Sequence, residues 1–425
     1  MRIHLALLPV ALAIGCRDTT APLPATAFVR LGAGGFHTCA VRASGDTFCW
    51  GDDGFTQLGR GVGTFDSSLV PALVVGGHRF VRVDGGDTYT CGLEADGRAY
   101  CWGLGMMTAD EQGAQYNPSP VAVAGGLVFS ALGASLGRTC ALISSGITYC
   151  WPGPNSYLPE QVGGSVRLAK LGNGDNGTCG VTSAGAAYCS GDNNFGELGN
   201  PAGTDATSPV YPFVAVAGGL TWDTVAMGNL HVCGIAIGGA VYCWGDNAVG
   251  EIGADTSVRW SGSPVPLPGG LRFRRISTGS HHTCGLTTGG DAYCWGYNYF
   301  GQLGAPTTEL CYGLGTPTAV PCSHVPVRVA GNQRFVTIDA GDFHTCGLTA
   351  SGEVWCWGSN LRGQLGDGTL SDRAVPTPIS SSSTSPAPTL ARGAATRGVA
   401  TRQPAWAFAR WQHAKYRSSE GNFAY

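Results

Sequence analysis

Sixteen of the chain's seventeen cysteines fall into pairs whose spacing suits disulfide chemistry. Seven pairs open and close one phrase. It reads CAVRASGDTFC from Cys39 to Cys49, CGLEADGRAYC from Cys91 to Cys101, CALISSGITYC from Cys140 to Cys150 and CGVTSAGAAYC from Cys179 to Cys189. It recurs as CGIAIGGAVYC from Cys233 to Cys243, CGLTTGGDAYC from Cys284 to Cys294 and CGLTASGEVWC from Cys346 to Cys356. An eighth pair, Cys311 and Cys322, brackets an insertion. Zinc modules need Cys-x2-Cys knuckles, which are absent, and two cysteines alone cannot fill a metal's coordination shell. Eight disulfides are therefore expected, in a chain that meets an oxidising compartment.

Other reactive groups offer less. His37, His231, His282 and His344 each stand two residues before a first cysteine. Four imidazoles converging in a ring could hold a metal. Alternatively each serves its own repeat as a hydrogen-bonded packing residue, which is the reading adopted. No Ser-His-Asp order, phosphate loop or paired carboxylate recurs with a meaningful spacing. No catalytic residue, metal site or cofactor is expected.

The elements that position these groups are hairpins. Every copy of the phrase has Gly at its seventh position and an aromatic residue before the second cysteine. A three-residue loop such as Ala43-Ser44-Gly45, ending in a left-handed Gly, lets Arg42 face Asp46 and brings Cys39 opposite Cys49. The first cysteines lie 39 to 62 residues apart, a period of one small supersecondary unit. Gly at 68 of 425 residues and charged residues at only 12% fit many tight turns between short strands. The formal net charge of −3 gives no electrostatic case for nucleic acid.

After the hairpins comes a second phrase. CGLTASGEVWCWGSNLRGQLGDG from Cys346 and CGLTTGGDAYCWGYNYFGQLG from Cys284 resemble the regulator of chromosome condensation repeat. The resemblance runs from residue 27 to about 379. It weakens at Trp102-Gly103, at Trp151-Pro152 and at Ser190, which stands where Trp is expected. It implies an all-β, seven-bladed β-propeller of four-stranded blades, with the Trp-Gly pairs wedged between blades. An unclaimed strand, Ala374 to Ile379, is expected to complete blade one and so close the ring, removing the open sheet edges.

The ends read differently. Leu5 to Gly15 is an apolar run too short to span a bilayer but suited to a signal peptide. Ala13-Ile14-Gly15-Cys16 resembles a bacterial lipobox, which makes Cys16 the lipid attachment site. The expected organisation is a leader over 1–16, a linker over 17–26, the propeller over 27–379, and a Ser/Pro linker with a basic, disordered tail over 380–425.

One position invites a binding role. The tip of the turn after each hairpin carries Phe55, Phe195, Val249, Phe300 or Arg362, with Tyr297 and Tyr299 beside Phe300. Aromatic residues and Arg anchor interfaces, so these seven are the candidate partner-binding residues. The chain is expected to be an exported, lipid-anchored or secreted monomer that presents a propeller face to a protein or cell-envelope ligand. Inhibition of a secreted enzyme is one form of this. The alternatives are guanine-nucleotide exchange, which the family's eukaryotic namesake implies, and a propeller lyase or hydrolase. Acids converging at one channel mouth would favour the enzyme.

Overall fold

The computed structural model describes residues 22–61, 65–105, 115–135, 137–151, 158–201, 210–255, 257–312 and 318–380. Cys16, the expected leader and residues 381–425 lie outside them. All of the described residues fall in one compact unit. Among the described residues no helix is long and apolar enough to cross a membrane.

Each repeat folds as one antiparallel sheet, and seven such sheets form the ring. Blade one shows the pattern. An inner strand, Phe28–Ala33, leads into the Cys39 strand His37–Arg42, the Cys49 strand Thr47–Gly51 and an outer strand, Ser68–Leu73. The expected hairpin forms as drawn. The Arg42 amide donates to the Asp46 carbonyl at 2.8 Å, and Gly45 takes φ 87°, a value that costs an L side chain energy. Cys39 then sits directly opposite Cys49. The same register recurs in all seven hairpins, with Cα atoms 4.0–4.1 Å apart in each bonded pair. The cystines are buried and belong to the apolar clusters between blades, so they act as core side chains as well as staples.

The connecting phrase is now explicable residue by residue. In blade seven the Asn360 side-chain oxygen accepts from the Leu365 amide at 3.0 Å, and the Gln364 side-chain oxygen accepts from the Arg362 amide at 2.9 Å. This folds the turn so that Leu365 enters the core and the Gln364 carbonyl points at the next blade. There it accepts from Trp50 Nε1 at 2.9 Å and from Thr38 Oγ1 at 2.9 Å. The same pair of donors reaches Gln57, Glu251 and Gln302 in other blades.

Blade six differs because its insertion adds a fifth strand, Glu309–Cys311, closed by the Cys311–Cys322 disulfide with Cα atoms 5.9 Å apart.

The closure expected from the sequence is corrected. The C-terminal strand Arg373–Pro378 pairs with Val354–Gly358 and completes blade seven, while blade one takes its fourth strand from Ser68–Leu73. Every blade is therefore one contiguous stretch of chain. A strand that returns after a short turn closes a small loop, whereas joining the chain's ends would close the largest one. The ring is shut by contacts between whole blades instead: side-chain bonds from His344 to Thr38 and from Trp50 to the Gln364 carbonyl, with backbone bonds from Phe28 to Gly352 and from Gly368 to Leu69.

Candidate binding face

Antiparallel pairing sorts the loops. The inner loops, such as Gly34–Phe36, and the Asn-to-Gly turns lie at one end of the strands, here the turn face. The Ala43–Gly45 type loops lie at the other.

The four histidines are found between blades on the turn-face side. His37 Nε2 lies 2.8 Å from Thr90 Oγ1, His231 Nε2 2.9 Å from Thr283, His282 Nε2 2.9 Å from Thr345, and His344 Nε2 2.8 Å from Thr38. Each threonine gives its own proton to a turn carbonyl, so the imidazole is the donor. That fixes a neutral ring with Nδ1 buried and unbonded. Burial pushes the ring pKa down to about 3 for His37, His282 and His344, and to about 4 for His231. These rings are packing clamps, each committed to its neighbour. Blade two uses Tyr89 instead, whose hydroxyl accepts from Thr139 at 2.9 Å.

The seven inner strands surround an axial cavity of about 900 Å3. Its lining is layered by charge because equivalent positions repeat around the axis. Arg30, Arg82, Lys170 and Arg275 line the part nearer the hairpin loops. Asp84 and Asp339 come next, pushed up to about 7 and about 6 by burial. At the turn face stand Asp87, Asp175 and Asp342. The Asp87 and Asp342 carboxylates lean together over Gly35. A Cβ there would lie 2.5 Å from Asp87 Oδ1 and 3.1 Å from Asp342 Oδ2. Burial, and then the charges of Asp342, Asp175 and Asp52, hold the Asp87 carboxyl well above its ordinary value.

Aromatic rings flank this acidic mouth on the side of blades six, seven and one. Phe36 and Phe343 are 6.4 Å apart by ring centroid, Phe343 and Phe300 5.5 Å, and Phe300 and Tyr299 5.0 Å. Tyr299 is 57% exposed at the edge of this wall.

The seven candidate binding residues meet different fates. Tyr299 and Arg362 are exposed, while Phe55, Phe195 and Phe300 are half-buried. Phe55 lies back on Tyr116 of blade two, 6.3 Å between centroids. Val249 and Tyr297 are corrected: both are buried, at 0% and 4%, because the Cys311–Cys322 insertion covers them. Only Tyr297, Tyr299, Phe300 and Val249 come together; the others stand at separate blade junctions. The sequence reading missed the inner-loop acids Asp87, Asp175 and Asp342. Their signal is a Gly followed by Asp a few residues before a first cysteine.

Two profiles of the Regulator of chromosome condensation (RCC1) repeat match the chain, together spanning 28–93, 222–251 and 273–393. Among curated proteins, the Ultraviolet-B receptor UVR8 of Arabidopsis thaliana is 31% identical over 189 residues, 44% of this chain and 40% of the receptor. The Probable E3 ubiquitin-protein ligase HERC4 of Homo sapiens is 33% identical over 154 residues, 36% of this chain and 14% of the ligase. The chain thus spans well under two thirds of either relative. Among solved structures, yeast RCC1 (Prp20) bound to Kap60 superposes with a TM-score of 0.67 at 19% identity, covering 89% of this chain and 92% of that one. Human WBSCR16 gives 0.67 at 18% identity, covering 79% and 95%. Both are similar in fold.

Proposed function

Since the chain belongs to the regulator of chromosome condensation repeat family, we propose that it is a binding module that works in an oxidising compartment outside the cytoplasm and holds a basic partner on its turn face. One observation carries the reading: three aspartates gather at the axial mouth beside a wall of aromatic rings. Such a mouth attracts a Lys or Arg side chain by charge, and the rings add cation–π attraction. The eight cystines support the compartment. Anchoring through Cys16, and inhibition of a secreted enzyme, are narrower forms of the same reading. Exchange-factor activity draws no support from any feature of this face.

The test is binding of Arg- and Lys-containing peptides, measured at low and high salt. Wild type is expected to bind with an affinity that falls as salt rises. D87N/D342N is expected to bind at least about tenfold more weakly at an unchanged melting temperature. Salt-independent binding, or an unaffected variant, would sink the proposal.

A second reading rests on the same acids. Converging carboxyl groups, one held well above its ordinary pKa by burial and by the neighbouring Asp342, also suit acid–base hydrolysis. Turnover of glycoside or ester substrates by wild type, abolished in D342N, would favour it.

A further inference from the structure

Blade junctions in this ring repeat one another closely, so a junction that departs at several positions at once stands out. At the junction of blades seven and one, the residue after Trp-Gly is Ser359, the turn carries Gln364, and the inner loop opposite carries Phe36. At six and seven these positions hold Tyr297, Gln302 and Phe343; at one and two, Asp52, Gln57 and Thr88. At five and six they hold Asp246, Glu251 and His281, and their ligand-type atoms all lie within 4.8 Å of one another. Four and five carry Asp192 and Glu197 but Leu230, so they lack the imidazole.

We propose that Asp246, Glu251 and His281 form a binding site for one divalent transition-metal ion, of which Zn2+ is the representative, between blades five and six.

Charge supplies the first argument. All three side chains are buried, at 6%, 1% and 2% exposure. Two carboxylates outnumber the one imidazole, so without a cation the buried cluster must either hold excess negative charge or take up a proton, and both are costly. A divalent cation with neutral histidine cancels both carboxylates. Neither the glutamate nor the histidine is needed for the fold, since Gln and Phe serve at the equivalent junction.

Geometry supplies the second. His281 Nδ1 is 3.2 Å from Glu251 Oε1. Zinc bonds of about 2.0–2.1 Å at tetrahedral angles set neighbouring ligand atoms roughly 3.3 Å apart. The remaining carboxylate oxygens are already held. Glu251 Oε2 accepts from the Val249 amide at 2.8 Å, and Asp246 Oδ1 accepts from the Asn247 amide at 2.9 Å and the Ala248 amide at 3.3 Å. These bonds fix both carboxylates in place, so that Glu251 Oε1, now bonded to His281 Nδ1, and Asp246 Oδ2 are the oxygens left to face an ion, the outer-shell support that metal ligands use. The donor set of two carboxylates and one imidazole, with water completing the shell, suits Zn2+ and its first-row neighbours better than Ca2+ or Mg2+, which prefer oxygen alone. Binding displaces the proton now shared between His281 and Glu251.

The experiment is equilibrium dialysis of the purified full chain against micromolar ZnCl2, with bound zinc counted by elemental analysis and melting temperature read in parallel. Two variants are compared with wild type. D246S/E251Q/H281F installs the side chains that junction seven–one already packs, and E251Q installs only the glutamine of the neighbouring turns. Wild type is expected to bind about one equivalent more than the triple variant and to melt higher with zinc present. E251Q is expected to bind at least about tenfold more weakly than wild type. Equal zinc content in wild type and in whichever variants fold, or no zinc-dependent rise in wild-type melting, would overturn the proposal. The peptide-binding reading is independent of this outcome, because it rests on Asp87 and Asp342.

Discussion

His344 of blade seven donates a 2.8 Å hydrogen bond to Thr38 of blade one, the same contact that joins blades one to two, five to six and six to seven. The ring therefore has no distinct seam. Replacing Thr38 by Val removes the acceptor and leaves a buried imidazole N–H unpaired, a loss of about 1–3 kcal/mol. Thr345→Val breaks the equivalent contact between blades six and seven. Thermal melting should show both variants lowered by the same few degrees. A fall at Thr345 with none at Thr38 would mean that some other clasp closes the ring.

Acid should act through the same clamps. His37 titrates near 6.5 when unfolded and at about 3 when folded. Below pH 6.5 the unfolded chain therefore takes up a proton that the folded chain refuses, and stability falls until pH reaches about 3. At pH 5 this one residue costs roughly 2 kcal/mol. Buried carboxyls work the other way. Asp84 and Glu197, raised to about 7 by burial, are relieved of their charge as pH drops through that value, which adds stability. The wild-type profile mixes both, so a variant is needed to separate them. His37→Tyr copies Tyr89 of blade two and does not titrate in this range. Its melting temperature should fall less than that of wild type between pH 7 and pH 5. Parallel curves would show that the clamp is not the acid-sensitive group.

Thr56 occupies a place where the other turns have glycine. Its φ is 63°, against 82–87° at Gly196, Gly250, Gly301 and Gly363, and its buried hydroxyl has no hydrogen-bond partner. A β-branched residue in the left-handed region is strained. Thr56→Gly should raise stability by about 1 kcal/mol even after the entropy that glycine costs. Chemical denaturation would measure this, and a lower midpoint would count against strain at Thr56.

Much of this fold could be read from the chain because local chemistry decides it. Cysteine spacing and a left-handed glycine fix each hairpin, whatever surrounds it. The junctions were half legible. In five blades the Trp donates to the turn carbonyl of the blade before it, so a lost turn should leave the next blade's Trp unpaired or dispensable. Copy two drops its turn phrase after Trp102-Gly103, and Trp151 Nε1 in the next blade finds no hydrogen-bond partner. Copy three drops it after Trp151-Pro152, and the next blade has Ser190 in place of Trp. The last outer strand was misplaced because it follows a long connection and carries no mark of which hairpin it pairs with. The acidic mouth was hidden for a different reason. Asp87, Asp175 and Asp342 become neighbours only through ring geometry, since nothing in their sequence separation of 88 to 255 residues pairs them.

The eighth disulfide should behave unlike the other seven. Hairpin cystines such as Cys346–Cys356 are fully buried and packed against Leu348, Val354 and Leu365. Replacing that pair with alanine leaves a cavity in a blade junction and removes a staple, a loss of about 2–5 kcal/mol that should appear in global melting. Cys311–Cys322 instead closes an insertion that lies over Val249 and Tyr297. Its loss should free the insertion while the ring stays shut, since none of the inter-blade bonds of Trp295, Thr345 or Trp357 involves residues 309–322. The expected result for Cys311→Ala/Cys322→Ala is a near-wild-type melting temperature, faster proteolysis confined to the insertion, and greater quenching of a now exposed Tyr297. If this variant instead melts as early as Cys346→Ala/Cys356→Ala, the insertion is part of the cooperative core and Tyr297 is buried by more than a flap.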